Sequence, residues 1–259
     1  MTTLTAARDA AFAATATDRF YARMAAVCLA VGVIGFAPTY WAPLLRGELN
    51  VAPLAHVHAL FFYGWLLLFV RQSSLAASGQ YVRHRALGLL GIALASGMFF
   101  VGLGMSMHSL KESIADGFEP AARAFTIVPI SGIILFGILF AVAIAKVHDS
   151  DVHKRLMLVN TAGILQAAVG RWFVLFLAPP RTAGVPVGPP PVFVTVMPGL
   201  VVDLLIVAGM IYDWRTRGRV HRVYWIAGGA TLAVQLLRVP LSQTSAWLTV
   251  TQWLLAIAP

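Results

Sequence analysis

Long apolar runs separated by short polar joints make up most of the chain. Seven runs are long enough to cross a bilayer core of about 30 Å, which takes roughly 20 helical residues. They cover residues 24–44, 53–75, 87–108, 124–146, 156–178, 192–212 and 223–256. None alternates polar and apolar positions as the strands of a lipid-facing barrel do. A bilayer also has no water to satisfy open strand edges. The pattern predicts an all-α, polytopic bundle of seven transmembrane helices. Pro240 lies inside the last run and predicts a kink or the end of its regular part, because proline has no N–H for the helix. Residues 1–20 contain no such run and carry Arg8, Asp9, Asp18 and Arg19. They read as a cytoplasmic tail rather than a cleaved leader, leaving residues 21–259 as a single transmembrane domain. The stretch 179–191, rich in proline, reads as a stiff outer spacer.

Lysine and arginine collect in alternate joints. The tail holds Arg8, Arg19 and Arg23. The joints after the second, fourth and sixth runs hold Arg71, Arg83 and Arg85; Lys146, Lys154 and Arg155; and Arg215, Arg217, Arg219 and Arg222. The remaining joints hold only Arg46, Lys111, Arg123 and Arg181. This division of 13 against 4 predicts the N-terminus inside and the C-terminus outside.

Composition excludes other classes. Of the 259 residues, 59% are apolar and 11% charged, against about 45–50% and about 25% in soluble domains. A solvated coil does not carry so much apolar surface. The net charge of +9 matches basic membrane-boundary loops, and no basic patch is interleaved with aromatics, so no nucleic-acid partner is expected. The expected partner is the lipid bilayer. The single Cys28 cannot form an internal disulfide and reads as a buried thiol.

Three basic joints share similar text: Val82-Arg83-His84-Arg85, Val152-His153-Lys154-Arg155 and Val220-His221-Arg222. They read either as duplicated helix pairs or as boundary clusters that tolerate histidine. Gly88, Gly91, Gly97, Gly102 and Gly104 crowd the third run and predict close helix packing.

Ionisable groups inside a span cost about 2.5–3.5 kcal/mol each, which makes them candidate functional groups. Arg171, Asp203 and Arg238 are such groups. At about 1.5 Å per residue both arginines fall in the outer third of the membrane and Asp203 near its middle. An ion pair between Asp203 and one arginine is expected. It would act either as a clamp or as the lining of a pocket for a quinone carbonyl, an anionic headgroup or another lipid-like substrate. A second set, His56, His58 and His108 with Met105 and Met107, lies at the outer ends of the second and third runs. Imidazole with thioether suits copper, although positions 56 and 58 do not share one helix face. A b-type haem is the competing cofactor, held by His58 and His108 outside or by His84 and His153 at the inner face.

Several chemistries are absent. The last run has no lysine for a retinal Schiff base. The chain has no HExxH zinc motif, no histidine boxes of the membrane di-iron type, and no phosphate loop.

The text His56-Val57-His58, Trp65, Arg71-Gln72 and His84-Arg85-Ala86-Leu87-Gly88 resembles a group of bacterial seven-helix membrane proteins without an assigned activity. The segments His153-Lys154-Arg155-Leu156-Met157, Asp203, Tyr212-Asp213 and Gly218-Arg219-Val220-His221 extend the likeness over roughly residues 53–250. The resemblance implies a multi-pass protein of the bacterial inner membrane. Three functions are compatible with these features: a metal- or haem-linked redox protein with its site in the outer leaflet, a small transporter or lipid-handling protein using Asp203 with Arg171 and Arg238, and a non-catalytic accessory subunit.

Overall fold

A computed structural model describes residues 2–177 and 187–257, with side chains from residue 16 onward. Eleven α-helices follow one another: α1 Thr2–Phe36, α2 Ala42–Leu45, α3 Pro53–Ala77, α4 Tyr81–Ala115, α5 Glu119–Phe125, α6 Ile127–Ala145, α7 Ser150–Ile164, α8 Gln166–Leu177, α9 Val196–Arg217, α10 Gly229–Leu241 and α11 Ser245–Ile257. No strand occurs among the described residues. A π-helical turn at Ala37–Trp41 joins α1 to α2, and another at Tyr224–Gly228 leads into α10. A 3₁₀ turn at Val192–Thr195 precedes α9. Arg181 and most of the proline-rich spacer lie outside the described residues.

Local chemistry sets the helix ends. Pro53 opens α3, where a missing N–H costs nothing. The Asp149 carboxylate accepts from Val152 N at 3.1 Å and caps α7. Gly218, at φ +70°, ends α9 in the left-handed conformation that glycine adopts without penalty. Arg215 and Arg217 in that last turn suit the negative end of the helix dipole.

Among the described residues six helical stretches are long and apolar enough to cross a membrane: Ala16–Leu45, Pro53–Ala77, Tyr81–Ala115, Glu119–Ala145, Ser150–Leu177 and Val192–Arg217. The seventh expected run behaves differently. Its helix stops at Leu241, one residue beyond Pro240, and α11 restarts at Ser245. The Thr244 hydroxyl accepts from Trp247 N at 3.2 Å and caps the new helix. α11 then packs against α4 and α5, where Trp247 Nε1 donates to Arg123 O at 2.8 Å and Arg123 donates to Thr251 Oγ1 at 3.0 Å. Proline and the Ser-Gln-Thr turn thus divide the expected span into two helices.

α1 packs between α3 and α8, α4 joins α3 to α6, and α7 lies against α6 and α9. Trp65 stands at the centre. Its ring meets Phe136 and Phe140 edge-on at 5.3 and 5.5 Å, and its Nε1 donates to Thr161 Oγ1 at 3.2 Å. Leu60, Leu89, Phe100 and Leu204 point outward at 62–74% exposure. Large apolar side chains on the surface, with indole and hydroxyl paired inside, fit lipid as the surrounding solvent. The chain is an integral membrane protein.

The close packing expected of the third run holds in part. A Cβ at Gly97 would collide with Phe61, and one at Gly102 would press on Ile133 at 3.1 Å, but Gly88 and Gly104 face open space. A close approach to backbone lies elsewhere. Gly35 of α1 sits so close to α8 that a Cβ there would meet the Ala168 carbonyl carbon and oxygen at 2.7 Å.

Candidate functional site

The outer histidines and methionines do not gather into one site. His56 Nδ1 is 2.9 Å from the Tyr40 hydroxyl. His58 stacks on Phe62, with ring centres 4.1 Å apart. His108 Nε2 lies 3.2 Å from Glu112 one turn along α4. Gly64 packs on Leu94 and Gly91 on Leu68, which fixes the register of α3 against α4. His58 is then level with about residue 100, and His108 stands about 12 Å beyond it, with Met105 and Met107 in between. Among the described residues no three His, Cys, Asp or Glu side chains come together as metal ligands. α4 simply extends further than the start of α3, an offset that sequence adjacency does not reveal.

Arg171, Asp203 and Arg238 also separate. The Arg171 guanidinium lies over the Phe36 ring at 4.5 Å, on an exposed part of α8. The expected ion pair of Asp203 is replaced by a neutral partner: Gln235 Nε2 donates to Asp203 Oδ1 at 3.2 Å. Gln235 and Arg238 share a face of α10 one turn apart, so the amide occupies the place nearest the carboxylate. Arg238 is 3% exposed, and its Nη2 donates to Thr195 O at 3.3 Å.

Gln235 and Arg238, but neither Arg171 nor Asp203, line a cavity of about 20 Å³ among α6, α7, α8 and α10. Asn160, Gln166, Thr231, Gln235 and Arg238 are its polar lining. Gln166 Nε2 donates to Thr195 O at 2.6 Å, so Thr195 O receives two donors. Four other polar atoms of the lining are buried without a protein partner: both side-chain heteroatoms of Asn160, Gln235 Oε1 and Arg238 Nε. Two are donors and two are acceptors. A space of this size holds about one water. α7 ends beside the cavity, where Leu165 N bonds back to Ala162 O at 2.9 Å before α8 begins. Sequence reasoning passed over Asn160, Gln166 and Gln235 because neutral amides leave a run apolar on average. Their signal was an amide set inside an otherwise apolar stretch.

A second polar assembly lies at the end of the bundle where the arginines and lysines collect, hereafter the basic end. Arg155 and Asp213, both fully buried, form a two-pronged ion pair at 2.5 and 2.7 Å. Arg155 Nη1 also donates to Asp151 O at 2.7 Å and contacts Asp151 Oδ1 at 3.1 Å. Arg217 grips the Asp151 carboxylate at 2.8 and 2.9 Å. Lys154 reaches Asp18 at 3.2 Å. Tyr21 and Tyr224 join hydroxyls at 2.9 Å, and Phe20 stacks on Tyr212 at 3.9 Å. Asp18 and Phe20, read from sequence as tail, therefore pack on the bundle. His221, in the joint after α9, has its pKa lowered, first by burial and then by the nearby Arg155 cation.

The inner-face candidates do converge. The rings of His84 and His153 lie 6.5 Å apart at 88°. His84 Nδ1 donates to Gln72 O at 3.2 Å and His153 Nδ1 to Ala143 O at 2.8 Å. No protein-family model, curated protein or solved structure matches the chain.

Proposed function

We propose that the protein is a carrier of small anionic solutes in the bacterial inner membrane, with its basic end in the cytoplasm and α10 completing a seventh crossing. The observation behind this reading is the cavity among α6, α7 and α10, where a buried guanidinium and two amides keep four polar atoms without partners. In a lipid-facing bundle such atoms cost several kcal/mol unless something occupies the space, on the order of 2–7 kcal/mol per unpaired group. Arg238 supplies the positive charge that an anion would meet, and Asn160 supplies a neutral donor. Asp203, held by Gln235, supplies a carboxylate that can take up a proton as the anion moves. The interruption between α7 and α8 borders the cavity, and carriers often place their sites at such broken helices. Arg155 lies five residues below Asn160 on α7, so the buried Arg155–Asp213 pair closes the path toward the basic end about 7.5 Å from the cavity.

The test uses the purified protein in liposomes with an inward proton gradient, and radiolabelled acetate, lactate and chloride as probes. The wild type should take up at least one of them faster than protein-free liposomes. Arg238→Gln should abolish that uptake. Asp203→Asn should leave exchange but remove its dependence on the proton gradient. No uptake of any probe, or full uptake by Arg238→Gln, would overturn the reading. The outer histidine cluster offers no comparable support for a redox role, since His58 and His108 do not meet.

A further inference from the structure

We propose that His84 and His153 form a two-imidazole site for Cu(I) at the basic end of the bundle. The two residues stand in the opening turns of α4 and α7, and the fold brings their ring centres to 6.5 Å. Two opposed imidazoles sharing one metal at about 2.0 Å per bond place their ring centres about 6 Å apart. The ring planes stand at 88° to each other.

Both rings are aimed in the same way. Each Nδ1 faces a main-chain carbonyl, Gln72 O for His84 and Ala143 O for His153. A carbonyl can only accept, so in each neutral ring the proton sits on Nδ1 and the lone pair on Nε2. Metal-binding histidines are oriented in this manner, with the second nitrogen donating to a carbonyl or carboxylate. Gln72 fixes His84 twice, because its Nε2 also donates to His84 O at 3.0 Å. Its Oε1 is buried without a partner.

The donor set selects the metal. Among the described residues no third His, Cys, Asp or Glu joins the two imidazoles. Zinc requires four ligands, whereas Cu(I) is content with two nitrogens in line and imidazole suits it. The site shares no residue with the Arg238 cavity, so it stands apart from the carrier reading.

The experiment presents Cu(I), buffered by bicinchoninate without oxygen, to the detergent-purified full chain. One equivalent should bind. His84→Ala and His153→Ala should each lose it, while His56→Ala and His58→Ala should keep it. Either inner variant also loses a hydrogen bond between neighbouring helices, so X-ray absorption of the copper-loaded wild type gives a second readout. It should show two nitrogen donors and no sulfur. Failure of the folded wild type to bind, sulfur in the first shell, or unchanged binding in folded His84→Ala and His153→Ala would overturn the proposal.

Discussion

Removing the Arg155 guanidinium tests whether the basic end is held by its buried ion pair. Arg155 and Asp213 are both 0% exposed. Asp213 accepts two hydrogen bonds from Arg155, whereas Arg155 also holds Asp151 O and Oδ1. The two deletions are therefore unequal. Arg155→Met strands a buried carboxylate, and stranding one partner of a buried pair costs about 3–5 kcal/mol. Asp213→Asn leaves the arginine with Asp151 and keeps one acceptor, so it should cost less, about 1–3 kcal/mol. The double variant Arg155→Met/Asp213→Leu removes both charges and should recover most of the loss, because a well-packed apolar pair replaces a buried ion pair at little cost. At roughly 2–4 °C per kcal/mol for a chain of this size, the arginine variant should melt on the order of 10 °C below wild type. Thermal unfolding of the wild type, Arg155→Met, Asp213→Leu and the double variant in one detergent closes a double-variant cycle, with Asp213→Asn melted alongside. Additive losses in the double variant, or an Arg155→Met within about 1 kcal/mol of wild type, would show that the pair is not what holds α7 to α9.

Other expectations follow from the same geometry. Gly35→Ala should destabilise by about 1–3 kcal/mol, since the Ala168 backbone cannot yield; Gly104→Ala, facing open space, should be neutral or stabilising by thermal melting. Arg238→Met removes a buried cation with no carboxylate within ion-pair distance, so it should leave the melting temperature near or above wild type while abolishing solute uptake. A matching loss of both would assign Arg238 to structure alone. His221 is neutral in the fold and has its pKa held down. Its contribution is therefore complete above the ordinary histidine value of about 6.5 and declines as acid protonates the unfolded chain first. The melting temperature of His221→Asn should fall less than that of wild type between pH 7 and 5, and equal slopes would refute this.

The spans were legible in the sequence because lipid imposes one requirement over twenty residues at a time, which survives any detail of packing. Six runs form helical stretches long enough to cross for that reason. The last did not, although Pro240 already marked the place where its helix stops. The sites were less legible, because rotation about a helix axis and stagger between helices leave little trace in composition. Asp203 and Arg238 were expected as partners, but Gln235 takes the place nearest the carboxylate. Lys154-Arg155 reads as an interfacial cluster whether its arginine is solvated or buried against Asp213. The one hint was an acid, Asp213, in an otherwise basic joint. The proximity of His84 and His153 was legible because both begin helices at the same end.

The long-range links of α1 also set a timetable for biosynthesis. Asp18 bonds a residue 136 positions later in the chain, and Tyr21 one that is 203 positions later. At a translation rate of about 5–20 residues per second, the first helix waits on the order of 10–40 s before its last partner leaves the ribosome. Until α8 emerges, α1 has α3 to lean on, while the seam that Gly35 makes with Ala168 stays open. A nascent chain arrested before α8 would therefore expose a glycine-lined stripe to lipid, the state in which insertion-assisting factors would find this helix unfinished.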